Sequence, residues 1–205
     1  MRLEAIPKQN REIFAALPDF KEFYLAGGTA LSLQIGHRVS VDFDLFSDKE
    51  ISKNLLNRAK GVFENKKIVV SVNNPDELTL FIDEVKLTFL RYPFPIVSNF
   101  VDCQGVKLLS VKEIAASKAY TIGRRGSFKD YIDLYYVILE EHSDLNEIIA
   151  VADKKYGEEF NSRLFLEQLV YFDDIKDEGI IFLKDKVGKD SFEDFFKREI
   201  KKIKL

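Results

Sequence analysis

Two aspartates separated by one phenylalanine stand in the alternating run Val41-Asp42-Phe43-Asp44-Leu45-Phe46. Such alternation predicts a strand with apolar side chains on one face and both carboxylates on the other. Residues two apart on a strand point the same way, so Asp42 and Asp44 converge on one point. Like charges held together are costly unless a cation lies between them. Hard oxygen donors of this kind suit Mg²⁺, which keeps its other positions for water and phosphate oxygens. Taken alone, an Asp-x-Asp reads more simply as the solvated acidic face of an edge strand.

Two further groups of residues bear on that pair. Upstream, Phe23-Tyr24-Leu25-Ala26 predicts a short apolar strand running into Gly27-Gly28, and Thr29 opens the helix-like segment TALSLQIG. Glycine lets the backbone approach a phosphate closely, and a helix start offers unpaired N–H groups and a positive dipole end. As a bare dipeptide, Gly-Gly is more often a plain turn. Downstream, Lys118 falls on one predicted helix and Lys129, Asp130 and Asp133 on the next. Asp130 and Asp133 share a helix face, and a hairpin through Gly123–Gly126 places Lys118 opposite them. The Lys118 ammonium can hold a β- or γ-phosphate as a point charge; without a ligand, an ion pair is its simpler role.

The elements that position these residues follow from periodicity. A short helix spans 8–17, ended by Pro18, and another spans 52–64; strands are expected at 67–73, 77–82 and 85–91, with Asp83-Glu84 turning between the last two. A shorter strand pair lies around Gln104-Gly105. Ser110 and Glu113 form a capping box ahead of a helix to about Arg124. A second helix starts at Ser127 and runs to about His142, and others fall near 145–155, 159–171 and 191–203. The expected architecture is α+β: a mixed sheet with flanking helices over residues 1–109, then a helical half over 110–205 that completes the cleft.

Bulk properties exclude several classes. The chain has 205 residues, 46% hydrophobic and 32% charged, which is enough apolar matter for a globular core. No apolar run approaches the roughly 18 residues of a membrane span, and MRLEAIPKQNREIFAALP lacks the features of a signal peptide; a cytoplasmic location is expected. Cys103 is the single cysteine, so no intrachain disulfide forms, and with only His37 and His142 beside it a structural zinc site is not expected. The net charge of −3 does not announce a nucleic acid partner. The basic run Lys197, Arg198, Lys201, Lys202, Lys204 reads as a solvated helix end. Tyr131, Tyr135 and Tyr136 read as helix packing rather than base stacking. P-loop, HExxH and GxSxG patterns are absent from the sequence.

The order of the three groups carries more than each alone. LAGGTALSLQIGHRVSVDFDLFS (25–47) resembles the first motif of the AbiEii/AbiGii toxin family of nucleotidyltransferases. SVKEIAASKAYTIGRRGSFKDYIDLYYVI (110–138) resembles that family's later motifs, a helical lysine followed by a K-D-x-x-D-L helix. The resemblance implies that Gly27, Gly28 and Thr29 bind nucleotide phosphates and that Asp42 and Asp44 coordinate Mg²⁺. It assigns Lys118 to the motif lysine and Asp130 or Asp133 to a late essential carboxylate. Arg38 would contact phosphate, and Lys86 would be the basic residue of the intervening strand. The implied reaction is transfer of NMP from an NTP to an acceptor such as tRNA or another RNA. The implied setting is a toxin–antitoxin or abortive-infection system with a cognate antitoxin.

One position departs from the wider superfamily. Many nucleotidyltransferases carry a third metal-binding carboxylate on a later strand, and in Val85-Lys86-Leu87-Thr88-Phe89-Leu90 that position is Thr88. Threonine is a poor substitute for a charged ligand or a base. Either Asp130 or Asp133 completes the site, or the chain is a nucleotide- or partner-binding module with impaired transfer.

Overall fold

The computed structural model describes residues 1–122, 124–125, 127–171 and 179–203. Gly123 and Gly126, on which the expected hairpin rests, and Lys204 of the basic run lie outside the described residues. Seven strands form one mixed sheet in the order β3-β4-β5-β2-β1-β7-β6. They are β1 (Tyr24–Ala26), β2 (Phe43–Ser47), β3 (Ile68–Asn73), β4 (Glu77–Ile82), β5 (Val85–Arg91), β6 (Val101–Cys103) and β7 (Val106–Leu108). The strand β2 pairs antiparallel with β1 and parallel with β5, while β1 pairs parallel with β7. The architecture is the mixed sheet with flanking helices expected from the sequence.

Local chemistry accounts for the hairpins. Asp83 and Glu84 have φ of 46° and 75°, and Gln104 and Gly105 have 55° and 84°. Two successive positive φ angles are what a two-residue hairpin needs to match the strand twist. At the first of these, Asp83 accepts a hydrogen bond from the Lys67 N–H (2.9 Å), which helps hold a non-glycine residue in this region.

Helices α1 (Arg11–Ala16) and α3 (Leu55–Val62) lie on one face of the sheet, shorter than the expected 8–17 and 52–64. Residues 8–10 and 17–19 are instead single 3₁₀ turns flanking α1. Phe14 stacks on Phe43 at 6.3 Å and Phe20 meets Phe89 at 4.9 Å. With Leu45, Leu78, Leu80 and Leu87, all fully buried, they form the core on that face. The other face carries Asp44, Thr79 and Thr88, because side chains alternate along each strand.

That second face is approached by α2 (Gly27–Ile35), α4 (Val111–Ile122) and α5 (Phe128–Leu139), with α6 (Leu145–Tyr156), α7 (Ser162–Gln168) and α8 (Lys189–Ile200) packed around them. The helix α5 holds α8 through Tyr135, whose ring meets Phe192 and Phe195 at 4.7 Å each. Tyr131 donates to the Gln168 carbonyl (3.0 Å) and Tyr136 to that of Asp185 (2.5 Å), so all three tyrosines serve packing.

The expected capping box is half made. Ser110 Oγ accepts from the Glu113 N–H (3.3 Å). The Glu113 carboxylate, however, does not turn back to the helix start. It accepts from the N–H groups of Val97 (3.0 Å) and Ser98 (2.9 Å) and pairs with Lys155 at 2.9 Å, both partners fully buried. Lys155 also donates to the Pro95 carbonyl (2.7 Å). This paired charge staples the 95–98 loop to α4 and α6, a demand that outweighs a local cap.

Candidate active site

The strand β1 ends at Ala26 and the chain enters α2 without an intervening loop. Gly27 has φ of +64°, which L side chains rarely adopt, and a Cβ there would stand 2.8 Å from Asp44 Oδ2. A Cβ on Gly28 would collide with the Arg38 guanidinium. Both glycines are therefore required by close approach, and they bring the N-terminus of α2 against Asp44.

Asp44 lies on β2, directly opposite Ala26 of β1 and Thr88 of β5. Asp42 precedes the strand rather than lying on it, and it is exposed. Its position is set by a fastened loop. Thr29 donates its hydroxyl to the Asp42 carbonyl and lies 2.8 Å from Ser40 Oγ. Asn10 donates to the Val41 carbonyl (2.9 Å), the Ser40 N–H to Ala5 (2.9 Å), and the Val39 N–H to Ile181 (2.8 Å). So the Thr29 side chain holds the aspartate loop; its own side chain is buried.

A cavity of about 620 Å³ opens in front of these groups. Gly27, Gly28, Thr29, Arg38, Asp42, Asp44, Lys86, Thr88, Lys118, Lys129 and Asp130 all line it, as do Glu77, Ser117 and Arg125. Neither Asp42, Asp44, Lys86 nor Glu77 has an ion-pair partner among the described residues. Burial raises the Asp44 pKa above the ordinary 3.8, opposed by the Lys86 charge and reinforced by that of Asp42. A pair of adjacent carboxylates, one destabilised as an anion, is a donor set that a hard divalent cation would satisfy. Among the described residues no group of three or more His, Cys, Asp or Glu is placed to hold a metal ion.

Below the cavity lies a buried ionic cluster. Asp133 is fully buried and does not line the cavity. It accepts from Arg38 Nε (2.7 Å) and Nη2 (3.0 Å), from His37 Nε2 (2.7 Å) and from Lys118 Nζ (2.9 Å). Lys118 bridges to Asp130 Oδ1 at 2.6 Å, and Arg125 Nε reaches Asp130 Oδ2 at 3.3 Å. Burial alone would raise the Asp133 pKa, but Arg38, Lys118 and His37 together hold it well below the carboxylate range. Burial would likewise lower Lys118, and the charges of Asp133 and Asp130 outweigh it, so its pKa is raised. Burial lowers the pKa of His37 despite its bond to Asp133. His37 is then neutral at pH 7 with Nε2–H donating, and its Nδ1 is buried without a partner.

A family model described as nucleotidyl transferase AbiEii toxin, type IV TA system, matches residues 11–203, nearly the whole chain. The chain belongs to the AbiEii nucleotidyl transferase toxin family. It is 30% identical over 204 residues to an uncharacterized protein of Aquifex aeolicus (strain VF5), covering 97% of this chain and 98% of that one. Solved structures that share the fold include those of two bacterial proteins. MenT4, a nucleotidyltransferase toxin of Mycobacterium tuberculosis H37Rv, aligns with a TM-score of 0.63 at 15% identity, over 93% of this chain and 80% of its own. JHP933 of Helicobacter pylori aligns with a TM-score of 0.56 at 19% identity, over 80% and 90%.

In this AbiEii-family chain the residues singled out in the sequence divide by place. Ten of those functional positions were named there; nine line the cavity and Asp133 lies beneath it, tying Arg38 and Lys118. Glu77 escaped the sequence reading. Its signal was the Glu77-Leu78-Thr79 alternation on a strand adjoining β5, which sets both polar side chains on the cavity face. No helix among the described residues is long and apolar enough to cross a membrane.

Proposed function

We propose that this AbiEii-family chain transfers NMP from a Mg²⁺-bound NTP to an acceptor hydroxyl, RNA such as tRNA being the acceptor class, with a cognate antitoxin restraining it. The observation that carries the reading is the cavity that joins the α2 N-terminus, the unpaired Asp42–Asp44 pair and the cations Lys86 and Lys118 in one place.

The backbone N–H groups at the start of α2 and the side chain of Lys86 bind the phosphates. Asp42 and Asp44 would hold Mg²⁺, which when bound supplies charge neutralisation at the phosphoryl oxygens. Arg38, anchored by Asp133, lies beside Gly28 and fixes the glycine turn as well as adding positive charge. Lys118 contributes its charge at the cavity wall while its position is set by Asp130 and Asp133. Asp130, on the lining, orients the acceptor side. Asp133 is a positioning residue: it never reaches the substrate and holds two of the groups that line the cavity, Arg38 and Lys118. The geometry thus supports an in-line attack on the α-phosphate with pyrophosphate as leaving group. The helical half over 110–205 closes the cleft that the sheet half over 1–109 opens.

Thr88 opposite Asp44 favours one other reading, a module that binds nucleotide or an antitoxin without turnover. Incubating the protein with Mg²⁺, total RNA and each α-labelled NTP in turn separates the two. Label on RNA identifies nucleotide and acceptor class together. Binding of Mg²⁺–NTP without label transfer or pyrophosphate release supports the module instead.

A further inference from the structure

The register of three neighbouring strands places Thr79 of β4, Thr88 of β5 and Asp44 of β2 in one row across the sheet. Thr79 Oγ1 lies 2.5 Å from Glu77 Oε1 and 3.3 Å from Thr88 Oγ1. A hydroxyl has one proton to give. The short contact to a carboxylate takes that of Thr79, so the Thr88 proton points at Thr79 Oγ1. The lone pairs of Thr88 are then left for a group in the cavity that it lines. Glu77 lines the same cavity and has no ion-pair partner among the described residues.

We propose that Thr88, Thr79 and Glu77 form a hydroxyl relay that removes the proton of the acceptor. The inference rests on the transfer reading above and names what stands in for a third carboxylate. As the acceptor oxygen forms its bond to the α-phosphorus and the bond to pyrophosphate breaks, its proton passes to Thr88 Oγ1. The Thr88 proton passes to Thr79 Oγ1, and that of Thr79 to Glu77 Oε1. The electron pair of the broken P–O bond leaves with pyrophosphate. Glu77 is only partly buried and returns its proton to solvent.

The test is steady-state transfer by the full chain, with the acceptor identified by labelling, in the variants Glu77→Gln, Thr79→Val, Thr88→Val and Thr88→Ser. General-base assistance is worth roughly 100-fold or more. The relay predicts that Glu77→Gln, Thr79→Val and Thr88→Val each lower kcat by about that factor with KM for the NTP unchanged. It predicts that the Glu77→Gln/Thr79→Val double variant is no slower than the worse single. Thr88→Ser, which retains a hydroxyl, restores most of the rate that Thr88→Val loses, and Thr88→Asp placed in Glu77→Gln recovers most of the loss, because a carboxylate at 88 makes the relay unnecessary. Full kcat in both Glu77→Gln and Thr79→Val, with Asp44→Asn inactive, overturns the relay and leaves the transfer reading standing. So does a loss that Thr88→Asp leaves unrepaired. A wild-type chain that transfers no nucleotide to any acceptor overturns the transfer reading itself, and the relay with it.

Discussion

Asp133 grips the Arg38 guanidinium by both carboxylate oxygens, Oδ1 to Nε at 2.7 Å and Oδ2 to Nη2 at 3.0 Å. The two residues are 95 positions apart, one in the aspartate loop and one on α5. A bidentate fork fixes orientation as well as distance. It makes the first motif and the late helix a single mechanical unit, with Gly28 resting on one end of it.

Removing the anion from that unit leaves buried cations uncompensated. Asp133→Asn is expected to cost about 3–5 kcal/mol, the range for breaking a buried ion pair. Urea unfolding of Asp133→Asn, Arg38→Gln and the double variant checks it. A double variant no worse than Asp133→Asn alone shows that the two act as one; simple additivity contradicts the linkage.

The same cluster makes the fold acid-sensitive in two steps. The pKa of His37 is lowered from 6.5, so below that pH the unfolded chain takes up a proton that the fold resists. Stability therefore falls as the pH drops from about 6.5 toward the folded value. Asp133 is held well below 3.8, so its contribution is present above that pH and is lost as the pH falls through the range beneath it. Thermal melts between pH 8 and 3 should show the decline begin below about pH 6.5 and steepen below about 3.8. His37→Gln should flatten the upper step alone. A profile flat down to pH 4 contradicts the assignment of a buried neutral histidine.

Asp44 behaves in the opposite sense to Asp133. Its pKa is raised by burial, so the ionised form at neutral pH costs the metal-free fold stability. Asp44→Asn should raise the melting temperature without Mg²⁺, by about 2–4 °C for each kcal/mol relieved. Mg²⁺ and NTP should raise the wild-type melting temperature further, and that rise should be lost in the variant. Scanning calorimetry with and without Mg²⁺–NTP reads both effects. A variant less stable than wild type and still stabilised by Mg²⁺–NTP would place the metal elsewhere.

Gly27 is the position where backbone and site meet. Gly27→Ala forces a side chain into φ of +64° and brings its Cβ to 2.8 Å from Asp44 Oδ2. The backbone term alone is about 1–2 kcal/mol. Nucleotide affinity, measured by titration calorimetry, should fall at least tenfold while the variant stays folded at 25 °C. Unchanged affinity would mean that the α2 N-terminus does not face the phosphates.

Much of this was legible in the residues. The strand–Gly–Gly–helix unit, the Asp42–Asp44 pair and the five α-helices described past residue 110 follow from local chemistry, and local chemistry is visible in a single sequence. What escaped depends on distant partners. Asp42 stops short of β2 because Thr29 and the 181–183 segment fix its loop, and nothing near Asp42 announces that. In the sequence Asp133 only shares a helix face with Asp130, and the partners that bury it, His37 and Arg38, lie nearly a hundred residues earlier. Glu113 signalled a capping box and was drawn instead to Lys155. Glu77 became visible as a cavity residue only once β4 was seen to pair with β5 in a register that sets Thr79 against Thr88.

The most direct test of the central claim is transfer of α-labelled NMP under Mg²⁺ by the wild type and by Asp42→Asn, whose side chain is exposed and whose loop is held by its backbone. The account predicts labelled acceptor from the wild type and a loss of several orders of magnitude in the variant, with the fold intact by melting temperature. Full transfer by Asp42→Asn would contradict the site assignment outright.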